Sequence, residues 1–359
     1  MKILIYINIL SDGGAERVAA NLANYLSAFH EVHLINSFKT DDEYTLSPNV
    51  IHSYLDNNQY KSRLSKNIKR IKLLRKYLVE NKIDVLLSFM AEPNFRSCLA
   101  VKGLKTRLIV SVRNDPEAEY RGRLGKYTAK HLMKKADGCV FQTEDAKKWF
   151  PVNLQQKSKI ILNSVNPSFF EGSFYEGERQ NIVSCGRLNR QKNYSLLIHA
   201  FNKIKDNTKE NLIIYGDGPL KDQLQQEIKE LGLENRILLA GRINDVPNTI
   251  RKAKLFVMSS DFEGMPNSLM EALTLGIPCI STDCPCGGPR TIIKDNENGF
   301  LVPVNDENAL AEKMLFVLNN QARANEVGKN AYDQARTMFD AEAINNEWRE
   351  YIESVANSK

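Results

Sequence analysis

The feature that most constrains this chain is a rhythm that runs twice. Short runs rich in Ile, Val and Leu alternate with longer stretches whose apolar residues recur at helical spacing. In the first half the strand-like runs lie at 2–7, 31–35, 85–89, 107–112, 138–142 and 159–162, with helical patterns at 15–27, 64–81, 92–102 and 125–135. Runs that are apolar throughout belong to strands buried on both faces, and such strands are joined in parallel by helices that cover the sheet. The stretch 166–180 carries Pro167, Gly172 and Gly177 without sustained periodicity and reads as a linker. The rhythm then restarts, with runs at 181–185, 211–215, 237–239, 255–258, 278–281 and 299–301 and helical patterns including 194–204, 220–231, 268–275 and 307–319.

The expected organisation is therefore an α/β domain at 1–165, a linker at 166–180, a second α/β domain at 181–335 and a terminal helical segment at 336–359. In that last segment Ile344, Trp348, Tyr351, Ile352 and Val355 share one helical face with no strand to pack behind. The segment is expected to cross back onto the first domain. Open parallel sheets bind ligands at the carboxyl ends of their strands, so the βα loops are where chemistry is sought.

Bulk properties remove several classes. The formal net charge of +6 suits phosphates or acidic lipid headgroups but does not demand nucleic acid, and no nucleic-acid-reading motif is present. Cys98, Cys139, Cys185, Cys279, Cys284 and Cys286 lie mostly in apolar runs, which fits a reduced compartment. Cys284 and Cys286 lack the second ligand pair a zinc site needs, and Asp41-Asp42 lacks a partner carboxylate, so no metal is expected. Asn8 interrupts the first apolar run and a Gly-Gly turn follows, which reads as a buried strand rather than a leader. No run of 18 apolar residues occurs, so any membrane contact is expected to be peripheral.

Five loops carry candidate chemistry. Ser11-Asp12-Gly13-Gly14 precedes a helix start, where bare N–H groups attract anions, although it serves equally as a plain tight turn. Arg187 and Lys192 follow the first strand of the second half, a fork of donors and a point charge suited to a diphosphate. Tyr215-Gly216-Asp217-Gly218-Pro219 offers close backbone approach, with Asp217 alternatively a helix cap. The string from Asp261 to Glu271 is the most informative. Glu263 lies on a loop, Gly264-Met265-Pro266-Asn267-Ser268-Leu269 open a helix, and Glu271 stands about two turns into it. Two carboxylates there can grip the hydroxyls of two sugars, a hexose and a ribose. The fifth loop, 283–290, is rich in Gly and Pro.

Together these strings resemble the retaining glycosyltransferases of family 4, which have the GT-B fold of two Rossmann-like domains facing each other across a cleft. The resemblance rests on Gly13-Gly14-Ala15-Glu16-Arg17, Gly186-Arg187-Leu188 with Lys192, Gly216-Asp217-Gly218-Pro219, Gly241-Arg242, Glu263 to Glu271 and the 283–290 loop, and spans nearly the whole chain. It implies that Arg187 and Lys192 bind the donor diphosphate, Glu263 holds the transferred sugar and Glu271 the ribose. It further implies that Gly13, Gly14 and Gly216 admit the donor, that the loop at Gly241–Ile243, with Arg242, frames the base, and that backbone N–H groups around Pro266–Leu269 touch phosphate and sugar, with Gly264 and Met265 also at the donor. The implied reaction moves a hexose or N-acetylhexosamine from a nucleoside-diphosphate sugar, a UDP-sugar by family frequency, with retention and without metal or cofactor.

One departure stands out. Many members place a histidine after a first-domain strand, where this chain has Arg113 and Asn114. Arginine cannot act as a general base near neutral pH, but it can orient an acceptor. The stretch 61–76 holds eight Lys or Arg and no acid, with Leu64, Ile68, Ile71, Leu74 and Leu78 forming one stripe. A helix packed on its sheet with a solvated basic face explains it, and the same face can dock on anionic lipid. The resemblance points to a lipid-linked saccharide acceptor in bacterial glycan or polysaccharide biosynthesis, handled in the cytoplasm at the inner face of the membrane. A sugar-nucleotide epimerase or a glycosyl phosphorylase on the same scaffold is the competing reading.

Overall fold

The computed structural model describes residues 1–11, 13–56 and 62–358. Asp12 of the first glycine turn and Lys61 of the basic stretch lie outside the described residues. The chain divides into two compact units, Met1–Ser164 with Glu342–Lys359, and Val165–Ala341.

The first unit is built on a parallel sheet of β1 (Lys2–Ile7), β2 (Glu31–Asn36), β3 (Val50–Tyr54), β4 (Val85–Phe89), β5 (Arg107–Ser111), β6 (Gly138–Phe141) and β7 (Ser158–Ile160). Its order is β3-β2-β1-β4-β5-β6-β7. All five residues of β4 are buried, as its largely apolar run requires, and the one polar side chain, Ser88, donates to Asn94 Oδ1 at 2.6 Å. β3 has no such run. Only Val50 is buried, and the strand is added at the sheet edge by pairing with β2.

The helix Ala341–Asn357 closes this unit. Trp348, 1% exposed, lies 5.9 Å from the Phe89 ring, and the Tyr351 hydroxyl accepts the Cys139 N–H at 2.8 Å. The chain leaves the second unit only at Ala341, because the helix Gln321–Met338 still packs there. That helix buries Ala324, Val327, Gly328, Ala331 and Ala335, small residues that make no conspicuous apolar stripe.

Two helical expectations in the first unit need correction. The segment 125–135 is not one helix: an α-helix at Gly122–Tyr127 widens into a π turn at Thr128–Leu132 and tightens at Met133–Lys135. The basic stretch does form a helix, Arg63–Glu80, but Leu64 and Ile68 are exposed. Asn67 and Arg70 take the inward positions instead. Arg70 is fully buried with its Nε 2.5 Å from Asp56, and Asn67 accepts a bond from Arg96 at 2.9 Å.

The second unit carries β8 (Gln180–Cys185), β9 (Leu212–Tyr215), β10 (Ile237–Gly241), β11 (Ala253–Met258), β12 (Cys279–Thr282) and β13 (Phe300–Val302). They run parallel in the order β10-β9-β8-β11-β12-β13. The stretch read as a linker belongs to this unit. Arg179 donates to the carbonyls of Tyr175, Arg251, Ala253 and Gly276, tying it to the foot of the sheet.

Candidate active site

In each sheet the strand order reverses once, between β1 and β4 and between β8 and β11. At such a reversal the two following loops diverge and leave a crevice beyond the strand ends. In the second unit these are the loops carrying Lys192 and Glu263.

The loop after β8 is built by local capping. Asn189 accepts the Lys192 N–H at 3.2 Å, making a single 3-10 turn at Arg190–Lys192. Asn193 then adopts a left-handed conformation (φ 44°) and caps the helix Tyr194–Ile204 through the Leu196 N–H. Asparagine tolerates that conformation better than most residues, which is why the turn is sharp here. Across the crevice, the Asp261 N–H donates to the Gln191 carbonyl at 2.8 Å, Gln191 Nε2 to the Phe262 carbonyl at 3.0 Å and Asn193 Nδ2 to Asp261 at 2.7 Å. The two loops are thereby laced into one wall.

That lacing sets Lys192 Nζ 2.7 Å from Glu263 Oε1, with the Ser260 hydroxyl donating to the same oxygen at 2.8 Å. The side chains are 17% and 8% exposed, so the pair sits in a mostly dry setting where charge–charge attraction is strong. Glu263 is also fixed along its backbone, its N–H donating to the Pro285 carbonyl and its carbonyl accepting from Cys286. The 283–290 loop therefore lines this site. Cys284 and Cys286 within it are buried, and that burial pushes the Cys284 thiol up to about 12.

Behind Glu263 the chain turns through Gly264, Met265 and Pro266, all buried, into the helix Asn267–Thr274. Leu269 points into the core, and Asn267 and Ser268 are half-buried at the helix start. Glu271 is the fifth residue of this helix, one turn in rather than two, and is only 7% exposed. It is not a solvated surface carboxylate.

Glycines bring the loops close enough to form this floor. A Cβ on Gly216 would stand 1.9 Å from the Gly186 carbonyl oxygen, and one on Gly288 would stand 1.8 Å from that of Gly264. No other side chain fits at either contact. The Gly216 N–H reaches the Gly241 carbonyl at 2.8 Å, which draws the third loop, with Arg242 exposed and Ile243 half-buried, beside the first two. Arg187 is exposed at its loop tip. Asp217 does not cap the following helix; its Oδ1 accepts the Gly218 N–H, and the cap position falls to Leu220.

Gly13, Gly14, Arg113 and Asn114 lie in the first unit. Gly13 is extended and precedes the helix Gly14–Leu26, with its carbonyl accepting from Tyr44. Glu16 folds over it, its Oε2 only 1.8 Å from where a Gly13 Cβ would be. Arg113 is 8% exposed and lies over the Phe89 and Trp348 rings, donating to Asn163. Sequence reasoning passed over Glu119, whose Oε2 accepts the N–H of Arg113 at 3.3 Å and of Asn114 at 3.2 Å. Its only signal was an acid a few residues beyond Arg113 and Asn114.

Residues 12–169 match the description Glycosyltransferase Family 4, and residues 167–334 match Glycosyl transferases group 1. The GalNAc-alpha-(1->4)-GalNAc-alpha-(1->3)-diNAcBac-PP-undecaprenol alpha-1,4-N-acetyl-D-galactosaminyltransferase of Campylobacter jejuni is 32% identical over 368 residues, covering 100% of both chains. The N-acetylgalactosamine-N,N'-diacetylbacillosaminyl-diphospho-undecaprenol 4-alpha-N-acetylgalactosaminyltransferase of the same organism is also 32% identical, covering 89% of this chain and 90% of the relative. Among solved structures, Anabaena HepE in complex with UDP-glucose superposes with a TM-score of 0.83 at 18% identity, covering 99% of this chain and 100% of that one.

Proposed function

We propose a specific transfer for this chain, which belongs to the family 4 glycosyltransferases. It moves an N-acetylhexosamine or hexose from a UDP-sugar, with retention at the anomeric carbon, onto a saccharide carried by a polyprenyl diphosphate. The observation that carries the reading is the Lys192–Glu263 pair, 2.7 Å apart at the strand-order reversal of the second sheet, with Glu271 buried on the helix behind it.

The hard event is departure of the nucleoside diphosphate as the sugar gains positive character. Lys192, Arg187 and the N-terminal end of the helix Asn267–Thr274 supply positive charge for the leaving oxygens, and fixed dipoles in a dry site do this without reorganisation. Glu263, anchored at N–H, carbonyl and carboxylate, holds hydroxyls of the moving sugar, and Glu271 those of the ribose. Arg113 is no base, so the leaving phosphate takes the acceptor proton. The alpha linkages in the names of the two Campylobacter relatives support retention, since common UDP-hexoses are themselves alpha-linked, and both names carry a diphospho-undecaprenol acceptor.

No helix among the described residues is long and apolar enough to cross a membrane. The helix Arg63–Glu80 presents Lys69, Lys72 and Lys76 to solvent beside exposed Leu64 and Ile68, a face suited to the anionic inner leaflet.

The test incubates the purified chain with UDP-GalNAc, UDP-GlcNAc, UDP-galactose or UDP-glucose and a polyprenyl-diphosphate-linked saccharide, with and without EDTA. Expected is one extended, alpha-linked product, unaffected by chelation. A beta-linked product, epimerised donor without acceptor, or a strict need for inorganic phosphate would each overturn the reading.

A further inference from the structure

The loop that follows β5 leaves the sheet with two backbone donors unprovided for. The Val112 N–H still reaches the Val140 carbonyl at 3.0 Å, but Arg113 and Asn114 have run past the neighbouring strand. Asp115 caps a short turn begun by Pro116, accepting the Ala118 N–H at 3.0 Å, and the chain reverses. This brings the Glu119 carboxylate back to the Arg113 and Asn114 N–H groups at 3.3 and 3.2 Å. Buried backbone donors need partners, and here one side chain serves both. Farther out the loop is steadied elsewhere: Asn94 Nδ2 donates to the Ser111 carbonyl and to the Tyr120 hydroxyl.

We propose that Glu119 is a positioning residue whose charged carboxylate clasps the loop after β5 and so orders Arg113 and Asn114 for the acceptor. This rests on the function proposed above and on the expectation that the Arg113–Asn114 loop, in the place of the family's histidine, orients the acceptor. The clasp is responsive because of where it sits. Glu119 Oε1 is buried, and so are Nε and Nη1 of Arg113, which find no hydrogen-bond partner among the described residues. Burial, opposed by the N–H groups of Arg113, Asn114 and Ala91 and by the Arg113 charge, pushes Glu119 up to about 7. The titratable groups facing it are Arg113 on its own loop, Tyr120 next in sequence and Cys139 on β6. Burial holds Tyr120 and Cys139 far above neutrality and lowers Arg113 only to about 10, so of these four groups Glu119 alone changes charge near pH 7.

The experiment compares the full chain with Glu119→Gln and Glu119→Asp. In the unmodified protein kcat/KM for the acceptor should rise through pH 7 on a single limb. Glu119→Gln mimics the protonated form: its kcat/KM at pH 8 should fall on the order of tenfold, the scale of losing a hydrogen bond to a charged group, and the limb should vanish. Glu119→Asp should keep a limb. Independently of any transfer, hydrogen–deuterium exchange across residues 110–118 at pH 8 should be faster in Glu119→Gln than in the unmodified protein. A retained limb in Glu119→Gln, or unchanged exchange across that segment, overturns the proposal. Absence of transfer by the unmodified chain instead counts against the function above, and the exchange result still decides this one.

Discussion

Lys192 and Glu263 are 71 residues apart in the chain and 2.7 Å apart in the fold, one from the loop after β8 and the other from the loop after β11. Removing either partner leaves a mostly buried charge without its counterpart. Lys192→Ala should therefore lower stability by roughly 3 kcal/mol as well as lowering turnover by ~10²–10³. The double variant Lys192→Ala/Glu263→Ala should regain much of the stability and none of the activity. Thermal melts and initial rates on all three proteins check this; additive losses in stability would show that the contact carries no coupling.

Arg187 separates the two effects. It is exposed, so Arg187→Ala should leave the melting temperature within a degree or two while turnover falls by ~10²–10³. Normal turnover by this variant would remove Arg187 from the donor site.

The floor of the site tests differently. Gly216→Ala would place a methyl group 1.9 Å from the Gly186 carbonyl oxygen, a backbone atom that cannot swing aside. The strain should cost about 1–3 kcal/mol and weaken UDP binding, read by denaturation and calorimetry. Gly232→Ala meets no neighbouring atom but carries a positive φ of 65°, so it should cost stability without affecting UDP binding. Equal UDP affinities in the two variants would contradict the floor.

Trp348 supports the other unit. It is 1% exposed against Phe89, so Trp348→Ala should destabilise by about 3–5 kcal/mol. Exchange protection should fall in β4 and β5 and stay unchanged in β11 and β12. Uniform loss of protection would indicate that the units do not unfold separately.

Glu119 predicts a pH dependence with a definite sign. Its ordinary value of 4.5 is raised to about 7 in the fold, chiefly by burial. Between those values the folded chain keeps a proton that the unfolded chain has released, so this group's contribution to stability is lost as pH rises through the window. Urea denaturation at pH 5 and pH 8 should show a smaller decline for Glu119→Gln than for the unmodified protein.

Much of the fold was legible because strands buried on both faces are rich in Ile, Val and Leu. β1, β4, β5, β8 and β11 announce themselves that way. What escaped were elements whose stability is not written as an apolar run. β3 exists because β2 offers an open edge, and Gln321–Met338 packs through alanine and glycine. In the basic stretch the apolar stripe misled, because a fully buried Arg70 paired with Asp56 replaces a hydrophobe where polar partners were waiting.

The sequence by itself determined the doubly repeated α/β pattern, the loops that carry Arg187, Lys192 and Glu263, the helix that carries Glu271, and the family. Those depend on local periodicity and on short strings. Only the tertiary structure decided that Lys192 is held by Glu263, that Glu271 is buried, and that Arg113 is clasped by Glu119 and covered by Trp348. Such pairings follow from sheet order and loop closure, which bring together residues that no local pattern relates.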